Sequence, residues 1–273
     1  MRKREKIVVL TSGMDSYVAL KMTQFENPQS LVIPVWYDLG LPFSEAERKT
    51  LPDYVKIRDF KGYVDMLPKF EVDGVFIFPS LYEGILYDVM RKYQPDRIVM
   101  GVIATDSSMY EDNTLAWMEE FNRRMGRDLL DFPLSRKGLT KKDVIQKGID
   151  IGIDIGVITR LHTCRSRLDT PNGCGSCFSC MRKRSAMMQL GYHSPIPSPL
   201  ELPSIRIAEI MTQYAQNYRD GKVTAEELEY MEEIIPMLER ETGISDDIFK
   251  LEKHIRNLVN KDGHKIKELL EVE

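Results

Sequence analysis

All four cysteines of this 273-residue chain, Cys164, Cys174, Cys177 and Cys180, fall within one short segment. Nine residues separate the first from the second, and two residues separate each later pair. Cysteines three apart around a tight turn can aim both thiolates at one tetrahedral Zn²⁺ while a returning segment supplies the remaining ligand, and Gly173 and Gly175 permit such turns. A secreted disulfide framework would spread its cysteines through a small domain, so the clustering favours metal, with redox thiols as the alternative. Four sulfur ligands leave no open coordination position, so a bound zinc would be structural and not a Lewis acid.

A second constellation lies near the start. Leu10 closes a β-branched run, and Thr11, Ser12, Gly13, Met14, Asp15 and Ser16 follow. Small residues between a buried strand and a helix can bring backbone N–H groups against a phosphate, with the helix N-terminus adding partial positive charge. Gly13 allows close backbone approach, and the hydroxyls of Thr11, Ser12 and Ser16 can donate to phosphate oxygens. Asp15 beside phosphate needs compensation, so Mg²⁺ coordination or an N-cap hydrogen bond is its expected duty. The plainer alternative is an ordinary capped strand-to-helix turn.

Other candidates are weaker singly. The polar stretch from Thr105 to Asn113 is expected to be a loop leaving the carboxyl end of a strand, where open α/β sheets place ligands. Lys141 either neutralises phosphate or is simply solvated. Arg182, Lys183 and Arg184 form a basic cluster that is either a solvated face or a phosphate contact. His162, next to Cys164, could support that cysteine from outside the ligand set, but a lone histidine is more often a satisfied structural residue, and it is assigned no role.

The elements that must position these groups follow from periodicity. Lys6 to Leu10, Leu31 to Tyr37, Val55 to Phe60, Val75 to Phe78 and Ile98 to Ile103 are short apolar runs of strand type. Helices are expected from Asp15, between Leu81 and Gln94 on the stripe Ile85, Leu86, Val89, Met90 and Tyr93, around Leu115 to Met125, and from Thr140, an N-cap, to Gly148. Strand and helix alternate, so the fold class is α/β, a Rossmann-like parallel sheet with helices on both faces. Pro195, Pro197, Pro199 and Pro203 then crowd a stretch that cannot be regular helix. The expected division is therefore 1–193, an α/β domain that carries the candidate phosphate loop and includes the cysteine segment 164–180, and 194–273, a C-terminal helical module.

Bulk properties exclude several classes. A net charge of −4 with interspersed signs gives no broad basic footprint, so no nucleic-acid partner is expected. Charged residues interrupt every apolar segment, no signal peptide is visible, and a cytoplasmic protein with no membrane span is the expectation.

Residues 11–16 resemble the PP-loop, serine-glycine-glycine-any-aspartate-serine, of enzymes that cleave ATP between its α and β phosphates and transfer AMP to an oxygen; Ser12 stands where the first glycine is usual. Joined to Cys174-Gly175-Ser176-Cys177-Phe178-Ser179-Cys180-Met181-Arg182, with Pro133-Leu134 and Thr140-Lys141 ahead of it, the loop is similar to the 7-cyano-7-deazaguanine synthase family, QueC, over roughly the first 190 residues. The resemblance implies a PP-loop (HUP) fold and an ATP-dependent ligase. Such an enzyme adenylates 7-carboxy-7-deazaguanine and uses ammonia to form the amide and then the nitrile, with ATP, Mg²⁺ and a structural Zn²⁺. It implies nucleotide binding by Leu10 to Ser16, catalytic roles for Asp15, Ser16 and Lys141, and zinc ligation by the four cysteines.

The segment from Gly101 to Asp112 resembles the family's substrate loop, so Asp106, Tyr110 and Asp112 carry over as substrate contacts. Asn113-Thr114 replaces the family's cysteine-arginine, Thr163-Cys164-Arg165 its serine-cysteine-tyrosine, and Ser80-Leu81-Tyr82 its glycine-arginine-asparagine. Arg165 is the candidate replacement for the lost cation. The C-terminal module exceeds the family core and could serve a homodimer or a docking partner. Alternatives are adenylation of a different acceptor, such as a tRNA base or another carboxylate, or nucleotide binding without catalysis. Sulfur transfer is disfavoured because zinc leaves no spare thiol.

Overall fold

The computed structural model describes residues 4–67, 70–72, 75–77, 81–106, 111–164, 173–175, 177–200 and 205–258. The chain divides into two compact units, Met1–Pro171 and Asn172–Glu273. The second unit begins ahead of the proline-rich boundary at 193/194, because the helix that follows the cysteines packs on a later helix of the same unit. Among the described residues no helix is long and apolar enough to cross a membrane.

In the first unit, strands β1 (Lys6–Leu10), β2 (Leu31–Asp38), β3 (Lys56–Asp59), β6 (Arg97–Met100) and β7 (Leu130–Asp131) form one sheet in the order β3-β2-β1-β6-β7. Every pairing in it is parallel. Of the run expected at 75–78, the described residues 75–77 do not join this sheet, and Phe78 lies outside the described residues. Strand β5 (Val75–Ile77) pairs antiparallel with β4 (Phe70–Val72); two residues of chain between two strands are too few for a parallel crossover. The expected strand at 98–103 ends at Met100 because the chain turns at Gly101.

Period-two burial shows both faces covered. Ile7 and Val9 point to one side and Val8 to the other, and all three are fully buried. Val8, Val35, Ile98 and Met100 pack with Leu86 and Val89 of α4 (Leu81–Tyr93) and with Met118 and Phe121 of α5 (Leu115–Met125). The opposite face carries α1 (Met14–Glu26) and α7 (Lys141–Asp150), which approach closely where Gly148 meets Val18. Shorter helices complete the unit: α2 (Ser44–Thr50), α3 (Lys61–Val64), α6 (Pro133–Arg136) and α8 (Ile155–Arg160).

Pro34 sits inside β2, where a missing N–H would normally break a ladder. The Val35 carbonyl faces β1, accepting from the Thr11 N–H at 2.8 Å, so Pro34 faces the other way. On that side β3 pairs only from Val35 onward, and no hydrogen bond is lost.

The second unit contains α9 (Phe178–Gln189), α10 (Ile205–Asp220), α11 (Ala225–Thr242) and helical residues 248–258. Met181, Met211, Met231 and Met237 interleave with Ile207, Ile234, Leu238 and Leu251 in its core. Unbranched thioether side chains fill the irregular gaps between such helices.

Candidate active site

The strand order reverses between β1 and β6, and the crevice beyond the carboxyl ends of those two strands is where open sheets bind ligands. Residues 11–13 leave β1 there and Gly101 leaves β6 there. The two segments touch: a Cβ on Gly101 would lie 2.3 Å from Ser16 Cα and 2.5 Å from Ser16 N. Only glycine lets β6 end against the first turn of α1.

The loop is held from within. Ser12 N–H donates to Ser16 Oγ at 2.6 Å, Ser16 Oγ–H donates to the Gly13 carbonyl at 2.9 Å, and Thr11 Oγ1–H donates to the Val9 carbonyl at 3.1 Å. The hydroxyls of Thr11 and Ser16, expected to face phosphate, instead brace the backbone. Ser12 Oγ lies 3.5 Å from Ser16 Oγ. Gly13 is the N-cap of α1, and the N–H groups of Asp15 and Ser16 in the first helical turn have no partner within the helix.

Asp15 is therefore not the N-cap. Its Oδ2 accepts from Lys141 Nζ at 2.5 Å, and the lysine side chain is only 4% exposed. The solvated alternative for Lys141 is thus excluded. The pair spans 126 positions in sequence and is brought together by the packing of α7 on α1. Thr140 caps α7 as expected, in a reciprocal box with Asp143, and this fixes where Lys141 leaves the helix. Asp15 Oδ1 is buried and has no hydrogen-bond partner among the described residues. A buried carboxylate oxygen without a donor is costly, and it fits a divalent cation arriving with its ligand.

The segment after β6 contains two short 3-10 turns, Ala104–Asp106 and Glu111–Asn113. Asp106 Oδ2 accepts from the Ile103 N–H at 3.3 Å, so its carboxylate helps shape the turn. Asp112 is half-buried. Asn113, where the resemblance has a cysteine, is buried with Oδ1 unpartnered among the described residues, and Thr114, where it has the arginine, caps α5 by accepting from the Trp117 N–H. Tyr110 and Arg165 lie outside the described residues.

The sulfur atoms of Cys164, Cys174, Cys177 and Cys180 all lie within 4.8 Å of one another, and no disulfide joins them. Zn–S bonds of about 2.3 Å place tetrahedral sulfurs roughly 3.8 Å apart, so a modest contraction closes this set on a zinc ion. Cys177 N–H donates to Cys174 Sγ at 3.1 Å, as suits a thiolate. Gly175 has φ +75°, and a Cβ there would stand 2.6 Å from the Pro197 carbonyl oxygen. The basic cluster beyond is not a solvated face. Arg182 and Lys183 are buried, Arg182 is hydrogen-bonded to Glu233, and Arg184 Nε meets Glu241 Oε1 at 2.6 Å.

Comparison with known proteins agrees with this geometry. A family model described as "Queuosine biosynthesis protein QueC" matches residues 84–191. The 7-cyano-7-deazaguanine synthase of Geobacter metallireducens is 30% identical over 248 residues, covering 76% of this chain and 98% of that protein. The enzyme of the same name from Geobacter sulfurreducens is 30% identical over 233 residues, covering 71% and 93%. The chain belongs to the QueC family. A third QueC relative, from Methanosphaerula palustris, is 33% identical over 107 residues, and there the match spans 37% of this chain and 46% of that protein.

Two residues of this QueC chain show their contacts only in the tertiary structure. By sequence Gly101 only opens the segment that resembles the substrate loop, and its contact with Ser16 is seen in the structure alone. His162, a lone histidine by sequence, contacts the loop through its main chain: Met14 N–H donates to its carbonyl at 3.2 Å.

Proposed function

We propose that this chain is an ATP-dependent 7-cyano-7-deazaguanine synthase, a carbon–nitrogen ligase that acts on 7-carboxy-7-deazaguanine. A carboxylate is a poor electrophile, and transfer of AMP to its oxygen removes the charge and installs a leaving group as pyrophosphate departs. Ammonia displaces AMP to give the amide, and a second activation of the amide oxygen permits dehydration to the nitrile. The observation that carries the proposal is the pairing of part-buried Asp15, in the first turn of α1, with buried Lys141, with Asp15 Oδ1 unpartnered among the described residues.

In this scheme Gly13, Asp15 and Ser16 offer main-chain N–H groups to the phosphates, Ser12 adds its hydroxyl, and Lys141 balances charge as pyrophosphate forms. Mg²⁺ held by Asp15 would supply charge neutralisation on the leaving pyrophosphate. Zn²⁺ held by the four cysteines would supply a cross-link and no catalytic chemistry. Asp106 and Asp112, with Tyr110 and Arg165, are proposed to contact the deazapurine. Residues 1–193 are taken as the catalytic portion and 194–273 as an appended helical module, since the family match ends at residue 191. The setting is proposed to be the cytoplasm.

The test is mass spectrometry of the protein incubated with Mg-ATP, ammonium and 7-carboxy-7-deazaguanine. Nitrile and AMP formed together are expected. A folded, zinc-loaded protein that gives neither overturns the proposal and turns attention to a different acceptor at the segment around Asn113.

A further inference from the structure

Residues 161–164 lie against the phosphate loop and end in a cysteine of the metal-binding set. His162 is pinned there at three points. Its N–H donates to Thr50 Oγ1 at 3.1 Å, its carbonyl accepts from Met14 N–H at 3.2 Å, and its ring Nε2 lies 2.8 Å from the Cys164 carbonyl oxygen. A carbonyl can only accept, so Nε2 carries the proton in that bond. The side chain is buried, and so is Cys164. The fit is tight: a Cβ on Gly13 would stand 2.7 Å from the His162 carbonyl oxygen.

We propose that His162 is a positioning residue that ties the cysteine site to the phosphate loop, so that metal at the cysteines sets the affinity for the nucleotide. The inference rests on the ATP role given to the loop above. When Cys164 is held as a metal ligand, its carbonyl is fixed. The ring–carbonyl bond then fixes the His162–Thr163 peptide, and the His162 carbonyl in turn holds Met14 N–H. With Met14 N–H engaged, the first turn of α1 is oriented, and the N–H groups of Asp15 and Ser16 are left for phosphate oxygens. Loss of metal frees Cys164, and the bracing of the loop is lost with it. The zinc is thereby structural in its chemistry while still acting on nucleotide binding.

The test is calorimetric titration with Mg-ATP of the full chain, zinc-loaded and zinc-stripped, as wild type, His162→Ala and His162→Gln. Stripping zinc from wild type is expected to weaken Mg-ATP binding roughly three- to tenfold, the range for losing one or two buried hydrogen bonds. Zinc-loaded His162→Ala should show a similar loss at full metal content, with the rise in KM falling on ATP and not on the deazapurine carboxylate. His162→Gln, whose amide N–H can reach the same carbonyl, should recover most of the affinity. Stripping zinc from His162→Ala should add little, because the two changes break one chain of contacts. Losses that multiply, or wild-type affinity that stays constant as zinc is withdrawn, overturn the coupling without reference to any single variant's folding. If zinc-loaded wild type binds no Mg-ATP, the nucleotide role of the loop fails instead.

Discussion

Asp15 and Lys141 illustrate how one pair can serve both folding and chemistry. A carboxylate and an ammonium at 2.5 Å with little water around them satisfy each other on one side and leave Asp15 Oδ1 open on the other. Replacing Asp15 by Asn keeps the shape but removes the negative charge that would hold a cation. The expected result is a fall in pyrophosphate release on the order of 100-fold or more, read by phosphate-coupled assay, with the fold retained by circular dichroism. Gly101 makes a different point, because its contribution is the absence of an atom. Gly101→Ala puts a methyl within 2.3 Å of Ser16 Cα, backbone that cannot rotate away. Strain of about 1–3 kcal/mol is expected in thermal melts, together with weaker Mg-ATP binding, since the displaced turn is the one that faces phosphate.

Elements are held in register by ties of the same kind. Arg58 in β3, Tyr37 in β2 and Asp88 in α4 meet in one network: Arg58 Nη2 lies 2.9 Å from Asp88 Oδ2, and Tyr37 Oη–H donates to that oxygen at 2.9 Å. Burial alone would raise the Asp88 carboxyl, but the hydrogen bonds from Arg58 and Tyr37 outweigh it and hold the group below the usual carboxylate range. Burial and the bond to Asp88 push the Tyr37 phenol well above its ordinary value. A carboxyl whose folded pKa is depressed stabilises the fold above its unfolded value, about 4, and loses that contribution as the pH falls through the folded pKa. Asp88→Asn is therefore expected to lower stability at neutral pH by about 1–3 kcal/mol and to flatten the acid side of the stability profile below about pH 4. Urea unfolding at several pH values checks both; an unchanged acid limb would remove Asp88 from the account.

For the whole molecule, the cysteine set is the test of how far stability depends on metal. Cys177 is both a ligand candidate and the N-cap of α9, so Cys177→Ser should release zinc while leaving a serviceable cap. Metal content should fall and the unfolding midpoint should drop on the order of 10 °C, since each kcal/mol moves a chain of this size by about 2–4 °C. Unchanged metal content and midpoint would refute the structural role. The sequence alone determined what depends on local pattern. The β-branched run at residues 6–10, the small residues 11–16, the cap at Thr140 and the cysteine spacing were legible because strand propensity, turn chemistry and metal-ligand spacing are written within a few residues. The tertiary structure decided what depends on residues far apart in the chain. Residues 75–77 pair antiparallel with 70–72 instead of joining the parallel sheet, Arg182 went inside to meet Glu233, and Lys141 reached Asp15 across 126 positions. Gly101 and His162 gained their importance only from backbone brought against Ser16 and Gly13. No periodicity encodes such contacts, because they arise only when the packing of separate elements brings two distant segments to the same place.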